Sequence, residues 1–363
     1  MSHAIQTADE AELDIEAAKA FTGTLAQHYN SAAITLMLSI GHRTGLLDVM
    51  GRLPPANSHE IAAVAKLEER YVREWLAALV TGRVIEYDAT SKTYWLPAEH
   101  AASLTRGAPL GNWAVFAQGM PIAGLAQDEV IEHFREGGGT HYHDYPGFHD
   151  YMAEASAHIV ENLETVVLPL VPGLKQRLET GIDVLDVGCG KAAAIIAMAE
   201  RFPRSRFTGY DFSADALAAG RKVIAEKRLS NVTLVDFDMT DFAEINRYDF
   251  ITTFDAVHDQ KRPQDLIRGI RAALKPGGVY LMQDIGGSAY LEKNFDFAMS
   301  PFLYAISVTH CMAISLGQDG EGLGTMWGWE TAQAMLEKAN FASIQLHRLE
   351  TDPLNVWFVA TRD

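Results

Sequence analysis

The chain reads as an α/β protein with a mainly helical N-terminal domain, and three observations carry that reading. From about Leu170 onward, short apolar runs alternate with helical patterns, which implies a largely parallel sheet covered on both faces. Within that stretch, Val184-Leu185-Asp186-Val187 runs into Gly188-Cys189-Gly190 and then a helical pattern, a strand–turn–helix unit. Before Gly107, three helical patterns precede a hairpin, the order of a winged helix. The expected divisions are residues 1–107, a helical connector over 108–169, and the sheet domain over 170–363.

The elements follow in order. Ser31–Arg43 carries an apolar stripe through Ile34, Leu38 and Ile40, and Gly45 with Pro54-Pro55 ends it. Asn57 and Ser58 offer N-caps to a helix through Ile61, Ala62 and Ala65. A third helix over Glu68–Val80 places Val72, Trp75, Leu76 and Leu79 on one face. Val84–Tyr87 and Thr93–Leu96 flank a turn at Asp88–Lys92. In the connector, Gly137-Gly138-Gly139 leads into an aromatic stretch up to Tyr151 that reads as an aromatic lid or as ordinary packing. His141, His143 and His149 there match no zinc spacing, and no metal is expected. Strands are expected at Asp183–Val187, Arg206–Tyr210, Val232–Val235, Phe250–Phe254 and Val279–Met282, with a closing pair at Ser343–Leu349 and Val356–Ala360.

Composition narrows the function classes. The 363 residues include 47 acidic against 30 basic side chains, a formal net charge of -17, and no basic patch stands out. Such a surface repels phosphate backbones and anionic lipid, so neither nucleic acid nor membrane is an expected partner. The third N-terminal helix holds three acids against two arginines, which favours packing or dimerisation over DNA contact. Two cysteines, Cys189 and Cys311, suit a reducing compartment. The N-terminus lacks a secretory pattern, and no apolar run is read as reaching the roughly 18 residues of a membrane span. A cytoplasmic location is the expectation.

The chemistry gathers at strand ends. Gly188 and Gly190 permit a sharp turn and close approach of a ligand to the backbone, with Ala193 at the third small position. A G-x-G-x-x-A match alone is weak, because dinucleotide sites share it. Asp186, two residues earlier, is the discriminating feature, since nicotinamide sites carry an apolar residue there. Gly209-Tyr210-Asp211 ends the next strand, where a carboxylate can accept from two ribose hydroxyls. Asp238 and Met239 follow the third, suited to an adenine amino group and ring. Three acids ending three successive strands mark the rim where open α/β sheets bind ligands.

With LDVGCG, GYD, DMTDF and LKPGG in this order, the chain resembles the class I S-adenosylmethionine-dependent methyltransferases over about half its length. The resemblance implies a Rossmann-like seven-stranded sheet with the last strand antiparallel. It also implies S-adenosylmethionine as methyl donor, held by Asp186, Gly188, Gly190, Asp211, Phe212, Asp238, Met239 and Phe254. Lys191 departs from the small residue usual there. Phe254-Asp255-Ala256-Val257-His258-Asp259-Gln260 resembles the small-molecule O-methyltransferases, in which a His-Asp pair stands here and the histidine is the general base. Those enzymes also dimerise through an N-terminal winged helix. Gln260 departs from their tryptophan. The implied reaction methylates a hydroxyl of a small aromatic or apolar acceptor, with His258 as base and a homodimer as the assembly. Acceptor contacts are expected from Trp113, Phe116, Tyr142, Phe302 and His310. A thiol or amine acceptor is the nearest alternative; an NAD-dependent oxidoreductase and a donor-binding DNA regulator are the readings from other classes.

Overall fold

The computed structural model describes residues 13–239 and 242–363 and divides into two compact units, the first ending at Gln118 and the second spanning Gly119–Asp363. Thr240 and Asp241 of the DMTDF motif, and the first twelve residues that bear on a secretory signal, lie outside the described residues.

The first unit opens with a 30-residue helix, Ile15–Thr44, which begins well before the expected Ser31. Asp14 caps it by accepting from the amides of Glu16 and Ala17, and Gly45 ends it in the left-handed region at φ 75°. Only Ser39, Gly41 and His42 of this helix are buried, so the earlier half shows no core periodicity to read. The expected helices appear at Ser58–Ala65 and Glu69–Thr81, the former with a reciprocal capping box between Asn57 and Glu60. Trp75 closes the unit: its indole N–H donates to the carbonyl of Met37 at 2.8 Å. A Cβ on Gly41 would stand 2.5 Å from its ring, so only glycine admits that approach. Strands β1 (Glu86–Asp88) and β2 (Thr93–Trp95) pair antiparallel as the wing, and Ala56 bridges to Tyr94.

The second unit holds a seven-stranded sheet: β3 (Asp183–Val187), β4 (Arg206–Asp211), β5 (Val232–Asp236), β6 (Tyr248–Phe254), β7 (Leu274–Ile285), β8 (Ser343–Leu349) and β9 (Asp352–Thr361). Their order is β5-β4-β3-β6-β7-β9-β8. Six strands run in one direction, and β9 inserts antiparallel between β7 and β8, as expected for the closing hairpin. The strand order reverses direction at β3, flanked by β4 and β6, which opens a crevice at its carboxyl end. Two apolar clusters cover the faces, one around Leu174, Val184, Ile195 and Phe207, the other around Leu185, Ile251, Ile267 and Tyr280.

One expectation is corrected here. Ser300–Gly317 is a helical run long and apolar enough, by length and composition, to cross a membrane. Its apolar length escapes a reading by residue type because Ser307, Thr309, His310 and Ser315 interrupt it. Leu303, Cys311, Ala313 and Ile314 are buried in the protein.

Candidate active site

The turn after β3 is built by backbone bonds that only its sequence allows. The amides of Gly188 and Cys189 both donate to the carbonyl of Tyr210, at 2.8 and 3.0 Å, tying the turn to the end of β4. Gly188 has φ 73°, and a Cβ on it would meet Ala256 Cβ at 2.5 Å. Gly190 has φ 52° and open space where a Cβ would project. Its amide donates to Asp211 Oδ2 at 2.8 Å, while Asp211 Oδ1 accepts from the amide of Ser213 at 2.8 Å. Asp211 is thus aimed by two backbone donors, and its carboxylate keeps further lone pairs for a ligand. Ala192, at φ 62°, precedes the helix Ala193–Arg201, whose first turn faces this end of the sheet.

Asp186 is almost fully buried and accepts from Thr252 Oγ1 at 2.8 Å. Burial raises its carboxyl to about 7, against the Thr252 hydrogen bond that lowers it. Burial likewise raises Asp211. Two carboxyls in this state favour a cation between strand ends. Met239 is buried, Asp238 exposed, and Phe212 and Phe254 half-buried, the last packing on Trp357 with ring centroids 6.1 Å apart.

His258 is buried after β6, and its carboxylate partner is not the neighbouring Asp259. Its Nδ1 lies 2.7 Å from Asp284 Oδ1 at the end of β7. Asp284 Oδ1 also accepts from the Trp327 indole at 3.1 Å. Burial disfavours a proton on His258, yet Asp284 and Cys311 outweigh it and hold the imidazole well above its ordinary range. The His258–Asp259 sequence pair is thus not a hydrogen-bonded pair: each residue has its own partner. Asp259 Oδ2 instead accepts from the Tyr142 hydroxyl at 2.8 Å, and Gln260 Nε2 donates to Asp259 Oδ1 at 3.1 Å. Asp284 was missed in the sequence, although it ends a strand at the same rim as the acids that were found.

The aromatic stretch reaches this rim at three places. Tyr142 lies 5.3 Å from Phe212 between ring centroids, besides bonding Asp259. His149 Nε2 is 3.0 Å from Ser213 Oγ. Asp150 pairs with Lys191, which accounts for the departure at that position. His141 and His143 stack on each other at the surface instead. Among the described residues, no group of three or more His, Cys, Asp or Glu is placed to hold a metal. His310 is buried with its ring 3.8 Å from Phe148, and Phe302 packs beside Gly119 with Tyr151. Trp113 and Phe116 belong to the first unit, where their rings pair at 5.6 Å.

Comparisons with known proteins agree with this geometry. Residues 178–340 match the family described as a methyltransferase domain, and residues 32–106 match the Rv2258c-like winged HTH domain. A putative O-methyltransferase from Nostoc punctiforme has the same fold at TM-score 0.70 and 19% identity, over 95% of this chain and 98% of its own. Human N-acetylserotonin methyltransferase, solved with S-adenosylmethionine, superposes at TM-score 0.68 and 14% identity over 98% and 99%. At these identities the likeness concerns the fold. A demethylmenaquinone methyltransferase of Listeria monocytogenes is 35% identical over 104 residues, which are 28% of this chain and 44% of that protein. The chain thus spans less than half the length of the curated relatives it matches. The architecture is that of the class I S-adenosylmethionine-dependent methyltransferases. Residues 178–340 form a methyltransferase domain, carried behind a winged helix-turn-helix domain over residues 32–106.

Proposed function

We propose that this chain transfers a methyl group from S-adenosylmethionine to a hydroxyl of a small aromatic or apolar acceptor. The observation that carries the donor assignment is the pair of buried carboxyls, Asp186 and Asp211, bracketing the open glycine turn at Gly190. Asp186, Gly188 and Gly190 hold the methionine portion, Asp211 the ribose hydroxyls, and Asp238 with Met239 the adenine, with Phe212 and Phe254 as flanking walls. Bound there, the donor supplies an activated methyl on a sulfonium. The protein's own task is to align the acceptor and take its proton. His258 is suited to that step because Asp284 fixes its tautomer and stabilises the imidazolium that forms. Such help favours a hydroxyl over a thiol, which ionises near neutral pH without it. The segment around Tyr142–Tyr151 acts as the lid, excluding water from the donor.

The finer organisation belongs to the same proposal. Residues 1–107 dimerise, residues 108–169 connect and cover, and residues 170–363 bind the donor, in a cytoplasmic protein whose partners exclude nucleic acid and membrane. Calorimetry of the whole chain with S-adenosylmethionine and S-adenosylhomocysteine tests the core of this reading. Binding of both, lost in Asp211→Ala, is expected; no heat with either compound would discard it.

A further inference from the structure

Asp255 follows β6, three residues before His258, with its backbone in the left-handed region at φ 49°. Its amide donates to the carbonyl of Gln283 at 3.0 Å, and its Oδ2 accepts from Gln283 Nε2 at 3.2 Å. The other oxygen, Oδ1, is buried with no hydrogen-bond partner among the described residues. The same holds for Gln283 Oε1 and, one residue on, for Asp284 Oδ2; these two residues are 0% and 1% exposed. Native proteins rarely leave such oxygens unpaired, so the ends of β6 and β7 call for a ligand that donates.

Charge at this place is unbalanced as well. The groups acting most strongly on Asp255 are two carboxylates, Asp284 and Asp352, against one imidazole, His258. Asp284 already accepts from the Trp327 indole beside its bond to His258, and Asp352 accepts from Asn355 and Trp357. Asp255 has only an amide as its side-chain partner among the described residues. Burial, then Asp284, raises its carboxyl to about 7, the state of an acid that lacks a cation. His310, pushed down to about 3 mainly by burial, adds no positive charge. The wall here is aromatic: the Tyr151 hydroxyl feels the charge of both Asp255 and Cys311, and Cys311 in turn bears on His258. Tyr151 meets Phe148 edge-on at 6.3 Å between centroids and lies with Phe302 beside Gly119. A buried carboxylate together with aromatic rings suits an ammonium group.

We propose that the methyl acceptor carries a basic nitrogen besides its reacting hydroxyl, and that Asp255 binds the protonated nitrogen. The acceptor class is that of amino-substituted phenols and related hydroxylated amines. This rests on the reading of His258 as the base of hydroxyl methylation. The two roles support each other, because a cation on Asp255 disfavours a proton on the imidazole that must take one.

The test titrates the full chain, with S-adenosylhomocysteine present, in a calorimeter. Two sets of phenols serve as probes, matched in shape and differing in charge. One is tyramine, tyrosol and 4-hydroxyphenylacetate; the other is 4-hydroxybenzylamine, 4-hydroxybenzyl alcohol and 4-hydroxybenzoate. Two side-chain lengths keep the outcome from hanging on a single span between hydroxyl and nitrogen. In at least one set the amine is expected to bind about tenfold tighter than the alcohol, and the carboxylate most weakly. Asp255→Asn keeps the shape and the tolerance for a left-handed backbone. It brings the amine down to the alcohol's affinity and leaves the alcohol and S-adenosylhomocysteine as they were. Equal affinities for amine and alcohol in both sets, a carboxylate bound as tightly as the amine, or no phenol bound would each overturn the proposal. So would a preference that survives in Asp255→Asn, or a variant that loses the alcohol together with the amine. Failure of the donor assignment is read separately, as no heat on adding S-adenosylhomocysteine alone.

Discussion

At the scale of single residues, the site is governed by carboxyls that burial pushes upward. A donor with a cationic amino group requires Asp186 ionised, whereas the free protein holds it at about 7. The sign follows: with the folded carboxyl raised, lowering pH protonates it and weakens binding, by up to tenfold per unit below 7. Affinity for S-adenosylhomocysteine is therefore expected to rise from pH 6 to 8, with proton release on binding. Asp186→Asn should flatten that dependence; calorimetry in two buffers of different ionisation heat measures both. His258 obeys the opposite requirement, because a base must start unprotonated. Held above its ordinary range by Asp284, it places the rising limb of kcat above the usual histidine range, and Asp284→Asn should move that limb to lower pH. Glycines separate fold from binding. Gly188→Ala combines a positive φ with a clash against Ala256 and is expected to cost about 2–4 kcal/mol of stability by thermal or denaturant unfolding. Gly190→Ala meets open space and should cost only about 1–2 kcal/mol, while donor affinity falls further than stability does.

Among the elements, the segment proposed as the lid packs Tyr142, Tyr145 and Phe148 in an apolar cluster with Val130 and Ile314 and is tied to the sheet's rim by side-chain links. Tyr142 to Asp259, His149 to Ser213 and Asp150 to Lys191 tie it to loops after β6, β4 and β3. Tyr142→Phe keeps the ring packing on Phe212 and removes one charge-assisted hydrogen bond, typically about 1.5–3 kcal/mol. A faster release of S-adenosylhomocysteine by stopped-flow, with little change in melting temperature, is the expected outcome. These links also mark where sequence reading runs out. Strands of the sheet were legible because buried strands leave apolar runs, as Val279–Met282 and Val356–Ala360 do. The glycine turn and Asp211 were legible because local spacing carries them. Asp284 and the Tyr142–Asp259 bond were not, since they join residues 26 and 117 positions apart and no local pattern encodes such a meeting. The first half of Ile15–Thr44 escaped for another reason: none of it is buried within its own unit, so no core-facing stripe marks it.

For the whole molecule, surface chemistry decides association. A net charge of -17 keeps copies apart at long range and weakens binding to any polyanion, so self-association must rest on local apolar contact. The first half of the Ile15–Thr44 helix supplies such a face. Ile15, Phe21 and Tyr29 are 54–71% exposed there, on a stretch long enough that tertiary packing within its own unit does not explain its order. An isolated solvated helix of this length is marginal in water, and pairing of two copies would remove that cost. Phe21→Glu with Tyr29→Glu places two charges in the face without touching a buried residue. Sedimentation is expected to show a dimer for the parent chain and a monomer for the double variant, with S-adenosylhomocysteine binding retained because the donor site lies wholly within the second unit. Raising salt screens the charge repulsion and should tighten the parent dimer rather than dissolve it. A parent chain that sediments as a monomer at every salt concentration would leave the exposed face without this role.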